Sequence, residues 1–138
     1  MEIAPMTNYG CLQRGLSIMR LALGYKKGLP KDWWLTQGGS KNGATMADEL
    51  RTVLSAFPKH HVRIICSDIR AKAWGLKRHE YHKGPSRKHI ARFDNTHIFA
   101  ISYMHNAAGE SHFMVASPTR DMMPLTKYIM SVSIKERK

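Results

Sequence analysis

The stretch from Asn8 to Gly24 constrains the fold of this chain more than any other. Apolar residues recur through it three or four positions apart, namely Leu12, Leu16, Met19 and Leu23. That spacing places them on one face of an α-helix. Glycine commonly occupies the position just past a helix end, so Gly24 marks the end of this helix. The rest of the chain must therefore supply an apolar surface that covers the helix face.

Cys11 lies in the first turn of this predicted helix, after the turn-forming residues Asn8, Tyr9 and Gly10. The amino end of a helix carries roughly half a positive elementary charge. That field favours thiolate over thiol and makes a cysteine there a better nucleophile. A free cysteine is also commonly a small buried apolar residue. Cys11 is thus a candidate nucleophile, with core packing as the alternative.

The length and composition predict one domain over residues 1–138, because 138 residues with 43 % hydrophobic content can bury a core. The cysteines Cys11 and Cys66 form neither a disulfide framework nor a Cys-x-x-Cys metal pair, so no metal and no cofactor is predicted. No apolar run approaches the roughly 20 residues of a membrane span, and the N-terminus lacks a signal-peptide pattern. We therefore expect a cytoplasmic protein without a membrane span, and the sequence leaves its oligomeric state open.

Helix signals precede strand signals along the chain. A second amphipathic helix is predicted from Thr45, with its end at Pro58. β-branched residues then predict a strand over 61–66 that ends in a core cysteine. Further strands are predicted over 96–103, 111–116 and 128–134. This order predicts an α+β fold in which helices precede a meander of antiparallel strands.

A basic segment over residues 70–92 is the most unusual part of the composition, in a chain whose formal net charge is +12. It contains one acid, Glu80, and aromatic and histidine residues lie between its cations. Its basic residues are Arg70, Lys72, Lys77, Arg78, Lys83, Arg87, Lys88 and Arg92. The segment is either a solvated insertion or a surface that binds DNA or RNA. Its histidines lack acid or thiol ligands at recognised spacing, which argues against a metal site.

Two short motifs, one early and one late in the chain, are similar to those of a known superfamily. One is Asn8-Tyr9-Gly10-Cys11, and the other is Gly109-Glu110-Ser111-His112-Phe113-Met114-Val115 at the start of a predicted strand. With residues 43–46 leading into the second helix, this layout resembles the papain-like cysteine peptidases, especially the bacteriocin-processing peptidases. The resemblance covers the layout of most of the chain. It implies a papain-like fold in which the cysteine heads a central helix packed on a C-terminal antiparallel sheet.

The resemblance also implies site residues. Cys11 is the expected nucleophile, and His112 the expected general base and then general acid. Asp121, nine residues after the histidine, is the candidate that orients the imidazole ring, with Asn106 as a weaker candidate. The backbone N–H of Cys11 and the side chain of Asn8 are the expected oxyanion donors. His97 and His105 compete with His112 for the role of the base.

The expected function is that of a thiol peptidase or related acyl-transfer enzyme acting on a protein substrate. The positive charge is expected to favour acidic host-protein partners or to hold the enzyme on nucleic acid. Small size and high charge fit a phage protein acting inside a host cell. The alternative is a module without catalytic activity that binds nucleic acid or a host protein through residues 70–92, on a papain-like scaffold that has lost catalysis.

Overall fold

The computed structural model describes residues 8–29, 46–85, 96–104 and 111–137, apart from the side chains of residues 8–10, 48 and 111. Within the described residues, the helices α1 (Asn8–Ala22) and α2 (Met46–Ser55) precede the first strand. The elements that follow are β1 (His60–Cys66), α3 (Asp68–Ala73), a 3-10 turn (Arg78–Glu80), β2 (Tyr81–Lys83), β3 (His97–Met104), β4 (Ser111–Val115), a second 3-10 turn (Met123–Leu125) and β5 (Thr126–Glu136). The predicted α+β class is confirmed.

Helix α1 has the apolar face and the end that its sequence predicts. Three residues of the predicted face are fully buried, Leu12, Leu16 and Met19. Gly24 follows the helix with a φ of 91°, in the left-handed region that glycine adopts without steric cost. Its N–H donates to the carbonyl of Leu21 at 3.1 Å, which satisfies a carbonyl of the last helical turn.

The five strands form one mixed sheet in the order β2-β1-β5-β3-β4. The β1–β2 pair is parallel, and the other neighbours are antiparallel. The C-terminal strands β3, β4 and β5 are antiparallel, as predicted, but β5 lies between β1 and β3 instead of beside β4 as a meander requires. The sheet as a whole is mixed, because the unpredicted β2 runs parallel to β1. The central position of β5 has a physical basis, since it buries side chains on both faces: Tyr128, Ile129, Met130 and Val132.

Most of the basic segment that the structure describes belongs to this sheet and its cover. Residues 68–73 form α3, and β2 adds an edge strand to β1. Ala71 of α3 is fully buried in the core, and the ring of Trp74 meets that of Tyr128 edge to face at 6.2 Å. Residues 70–83 thus contribute apolar side chains to the core, while their lysine and arginine side chains stay exposed. Arg87, Lys88 and Arg92 lie outside the described residues.

The core has two parts, one on each face of the sheet. The larger part joins both long helices to one face, because alternate residues of a strand point to the same side. Its central side chains are Leu16, Met19, Leu50, Val53, Phe57, Ile64, Tyr128 and Met130. Ile65, Phe99 and Ile129 form a smaller cluster on the opposite face. The sheet thus provides the apolar cover that the face of α1 requires.

Candidate active site

Cys11 is the fourth residue of α1, and its side chain is only 6 % exposed. The helix begins at Asn8, so the Asn-Tyr-Gly run that was predicted as a turn is instead its first turn. Asn and Gly are weak helix formers inside a helix but are favoured at its start. The shift keeps Cys11 within the first turn, where the positive end of the helix dipole acts on it.

His112 is the second residue of β4, and its imidazole ring is half-buried. Its Nδ1 lies 3.7 Å from the Sγ of Cys11, although 101 positions separate the two residues in sequence. This separation suits a hydrogen bond to sulfur, which is larger than oxygen or nitrogen. The structure therefore brings together the two residues that the sequence singles out as nucleophile and base.

Close packing of α1 on β4 creates this contact. A Cβ added at Gly15 would lie 2.6 Å from Cδ1 of Phe113, far inside contact distance. Gly15 lies one helical turn after Cys11, and Phe113 directly follows His112. Neighbouring residues of β4 thus contact α1 one turn apart, and the missing side chain at Gly15 allows a close approach of helix and strand beside the pair.

The ring of His112 also contacts a side chain of the neighbouring strand β3. Tyr103 of β3 is the direct ladder partner of His112. The two rings stack with centroids 5.8 Å apart and planes 26° from parallel. Aromatic stacking of this kind contributes about 0.5–1.5 kcal/mol, which favours one ring orientation over free rotation.

Sequence reasoning did not identify Tyr103 or Gly15. A signal for Tyr103 is present, because antiparallel pairing of the predicted strands over 96–103 and 111–116 can place positions 103 and 112 opposite each other, as the structure has them. A signal for Gly15 is weaker, since a lone glycine in an apolar helix indicates close packing without naming the partner. Both residues lie next to the pair.

The arrangement allows proton transfer between sulfur and nitrogen. With a neutral ring whose Nδ1 lacks a proton, Nδ1 accepts the thiol proton, and after transfer the Nδ1–H of the imidazolium donates back to the thiolate. Because Nδ1 faces the sulfur, Nε2 is the ring atom that an orienting group has to contact. The pair can therefore supply a nucleophile and a general acid, as nucleophilic catalysis requires.

For the other predicted site residues, the described part of the structure shows no contact with the Cys11–His112 pair. Asp121 is exposed in the segment between β4 and β5 and forms no hydrogen bond or ion pair with any residue in the described ranges. The side chain of Asn8 and the whole of Asn106 and His105 lie outside those ranges. The orienting group and the oxyanion donors accordingly stay predictions.

His97 and Cys66, the remaining histidine competitor and the second cysteine, have other environments. Nδ1 of His97 lies 2.7 Å from Oγ1 of Thr96, at the far end of β3 from Tyr103. Cys66 is 2 % exposed at the end of β1, as its predicted place in the core requires. Burial raises the pKa of the Cys66 thiol to about 11, so this cysteine is protonated at neutral pH.

Comparison of the chain with family models, with curated proteins and with solved structures gives no significant match. Within the described ranges, no helix is both long enough and apolar enough to cross a membrane. The same residues contain no group of three histidine, cysteine or acidic side chains that could hold a metal ion.

Proposed function

We propose that this chain is a thiol acyl-transfer enzyme of the cysteine peptidase kind, with Cys11 as nucleophile and His112 as its acid–base partner. One observation carries the proposal, the distance of 3.7 Å between Sγ of Cys11 and Nδ1 of His112. An imidazole within reach of a thiol at a helix start favours the thiolate–imidazolium pair. A buried cysteine that served packing alone would not need this partner.

The reaction divides into two balanced steps. The thiolate of Cys11 attacks the substrate carbonyl, so that an S–C bond forms and the bond to the leaving group breaks. The imidazolium of His112 gives its proton to the leaving amine or alcohol. In the second step neutral His112 takes a proton from water, hydroxide attacks the thioester, and the freed thiolate takes its place beside the imidazolium again.

The layout of the fold supports a papain-like organisation. A helix that carries the cysteine in its first turn packs on a sheet, and the histidine lies near the start of the strand that contacts this helix. These are the positions that the resemblance to papain-like peptidases implies. The sheet departs from the expected one in its parallel β1–β2 pair. A protein substrate and an orienting role for Asp121 belong to this proposal.

Acylation by p-nitrophenyl acetate tests the proposal without knowledge of the natural substrate. The wild-type protein should release p-nitrophenolate in a burst and gain one acetyl group on Cys11, which intact-mass and peptide-mass spectrometry detect. Cys11→Ala should abolish the burst. His112→Ala should slow it by about 10²- to 10⁴-fold, the usual contribution of a positioned acid–base group.

The matched control is His97→Ala, which removes a half-buried histidine from the neighbouring strand. This variant should keep the burst and the acetylation of Cys11. Thermal unfolding of each variant separates loss of reactivity from loss of fold. Acetylation of Cys11 at the same rate in wild type and in folded His112→Ala would contradict the proposal.

A further inference from the structure

A second candidate site lies at β2, the sheet edge opposite β4. There α3, the first 3-10 turn and β2 enclose an open cavity of about 630 Å³. That volume lies within the range of roughly 300–1,000 Å³ that is usual for ligand pockets. Its lining residues are Asp68, Lys72, Leu76, Arg78, Tyr81, His82 and Lys83.

The cavity is basic, because among the described residues three cations line it against one carboxylate. Lys72 and Arg78 are exposed and form no ion pair with any carboxylate in the part of the chain that the structure describes. Lys83 approaches Asp68 at 3.4 Å, and its side chain is 77 % exposed. An exposed pair of this kind contributes little energy, so the ammonium group can turn to another anion.

The acids near the cavity are already engaged. Asp68 accepts a hydrogen bond from the hydroxyl of Tyr81 at 3.0 Å, besides its approach to Lys83. Glu80 is bound in a fork by the guanidinium of Arg51, with N···O distances of 2.6 and 2.7 Å. It also accepts the backbone N–H of Lys77 at 2.7 Å. The positive charge of Lys72 and Arg78 is therefore left for a ligand.

Flat rings accompany the cations. Tyr81 is half-buried in the wall, and the hydrogen bond of its hydroxyl to Asp68 fixes the ring in place. The exposed imidazole of His82 follows it on β2. Single-stranded nucleic acids bind where cations follow the phosphates and aromatic rings stack on the bases. A duplex presents its bases stacked and paired, so its base faces do not reach such a concave wall.

We propose that this cavity binds single-stranded nucleic acid, with Lys72, Arg78 and Lys83 on the phosphates and Tyr81 against a base. Arg70 has a structural role instead. Its Nη1 donates to the carbonyls of Thr126 and Lys127 at 3.2 and 2.7 Å, and it does not line the cavity. Of the eight basic residues in the predicted surface, the proposal thus assigns phosphate binding to Lys72, Arg78 and Lys83.

The cavity and the thiol–imidazole pair are separate sites. Three strands lie between β2 and β4 in the sheet order, and strands are spaced about 4.8 Å apart, so the two edges are about 19 Å from each other. Replacing the three cations of the cavity by neutral residues should therefore leave the reactivity of Cys11 unchanged. The two proposals can fail independently of each other.

Fluorescence anisotropy with a labelled oligothymidylate of about 15 nucleotides tests the cavity over a range of salt concentrations. The test variant is Lys72→Gln, Arg78→Gln and Lys83→Gln in combination. Each phosphate contact on a single strand adds about 0.7 to the slope of log K against log salt. The variant should therefore bind more weakly at low salt, and its slope should fall by about 2.

The matched control is Lys26→Gln, Lys27→Gln and Lys59→Gln in combination. It also removes three positive charges, but from exposed sites after α1 and before β1. Lys59 precedes the first residue of β1, whereas β2 pairs with the last three residues of β1. The hydroxyl of Tyr25, the residue before Lys26, accepts the backbone N–H of Lys59 at 2.9 Å, so the control sites lie at the end of β1 away from the cavity. The control should lose little affinity and little slope, and an equal loss in both variants would assign the binding to overall charge and overturn the proposal.

Two ring variants and two competing polyanions complete the test. Tyr81→Phe keeps the ring and should bind the oligonucleotide more tightly than Tyr81→Leu, which should bind several-fold more weakly than wild type because it removes the ring. A duplex of equal length should compete less well than the single strand. Stronger binding of the duplex, or of an acidic oligo-glutamate peptide, or no binding of the oligothymidylate, would overturn the proposal.

Discussion

Tyr103 and His112 face each other across β3 and β4, and their rings stack with centroids 5.8 Å apart. This contact makes Tyr103 a positioning residue for the imidazole that meets the thiol. Tyr103→Leu removes the ring but keeps an apolar side chain, so we expect alkylation of Cys11 to slow several-fold at neutral pH. Tyr103→Phe keeps the stacked ring and should restore the wild-type rate.

The rate of Cys11 alkylation, measured beside the thermal midpoint of each variant, checks this role. A contribution to stability alone would lower the midpoint without changing the rate in the folded protein. If the rates of Tyr103→Leu and wild type agree, the stacking does not position His112.

Gly15 permits the close approach of α1 to β4, and Gly15→Ala should disturb it. Alanine favours the helix by about 1 kcal/mol. Its Cβ, however, would lie 2.6 Å from the ring of Phe113, and overpacking in a core costs about 1–3 kcal/mol. The clash should dominate, so we expect lower stability and slower alkylation of Cys11 as β4 moves away from the helix.

Two further variants make the Gly15 prediction specific. Phe113→Leu in combination with Gly15→Ala should recover part of both losses, because leucine lacks the ring atoms that clash. Ile18→Ala on the exposed face of α1 should change the free energy of unfolding by less than about 0.5 kcal/mol. A Gly15→Ala variant more stable than wild type would show that the approach of α1 to β4 is not tight.

Glu49 is enclosed between α2 and the sheet, where it accepts a hydrogen bond from the hydroxyl of Tyr128 at 2.7 Å. Burial raises the pKa of Glu49 above its ordinary value of 4.5, although the hydrogen bond and the charge of Lys127 oppose the shift. The folded protein thus holds this proton more tightly than the unfolded chain. Its contribution to the free energy of unfolding is complete below about pH 4 and is lost as the pH rises through the folded-state pKa.

Glu49→Gln should therefore stabilise the protein at about pH 8 relative to wild type and have less effect at about pH 4. Urea unfolding at both pH values measures this. Glu80→Gln is the opposite control, because the Arg51 guanidinium beside Glu80 lowers the pKa of that carboxyl. Its loss should destabilise at neutral pH, and the difference should disappear as the pH falls through the lowered pKa. Equal pH dependence in the two variants would contradict the assignment for Glu49.

Local pattern was sufficient to predict much of the fold. The apolar spacing of α1 identifies its buried face because helical neighbours recur every three or four residues. Strands β1, β3 and β4 lie within one residue of their predicted bounds, since runs of strand-forming residues end at turns. The position of β5 was not predictable, because pairing across the sheet depends on contacts distant in sequence. The three-residue β2 is too short for any period to show.

Some residues of the candidate site were likewise predictable from the sequence, and others were not. The thiol and the imidazole were identified from residue type, order along the chain and resemblance. Gly15 was missed, because the close approach of α1 to β4 arises only when the elements pack. Tyr103 was missed although pairing of the two predicted strands would place it opposite His112. The basic segment was identified from composition, but its composition does not distinguish Arg70, which binds backbone carbonyls, from Lys72 and Arg78 at the cavity.

The central claim is that His112 activates Cys11, and the pH dependence of Cys11 alkylation tests it most directly. The measurement uses a Cys66→Ala background, so that one thiol is present. A small reagent such as iodoacetamide is appropriate, because Cys11 is only 6 % exposed. The retained Cys66 of a Cys11→Ala control should stay unmodified at neutral pH, as the raised pKa of its buried thiol requires.

With His112 in place, we predict that Cys11 is alkylated rapidly at neutral pH and that the rate changes little as the pH rises further. With His112→Ala, the rate at neutral pH should fall, and it should rise only as the pH passes about 8.5, where ordinary thiols ionise. Identical pH profiles in the two folded proteins would contradict the claim and leave Cys11 as a packing residue.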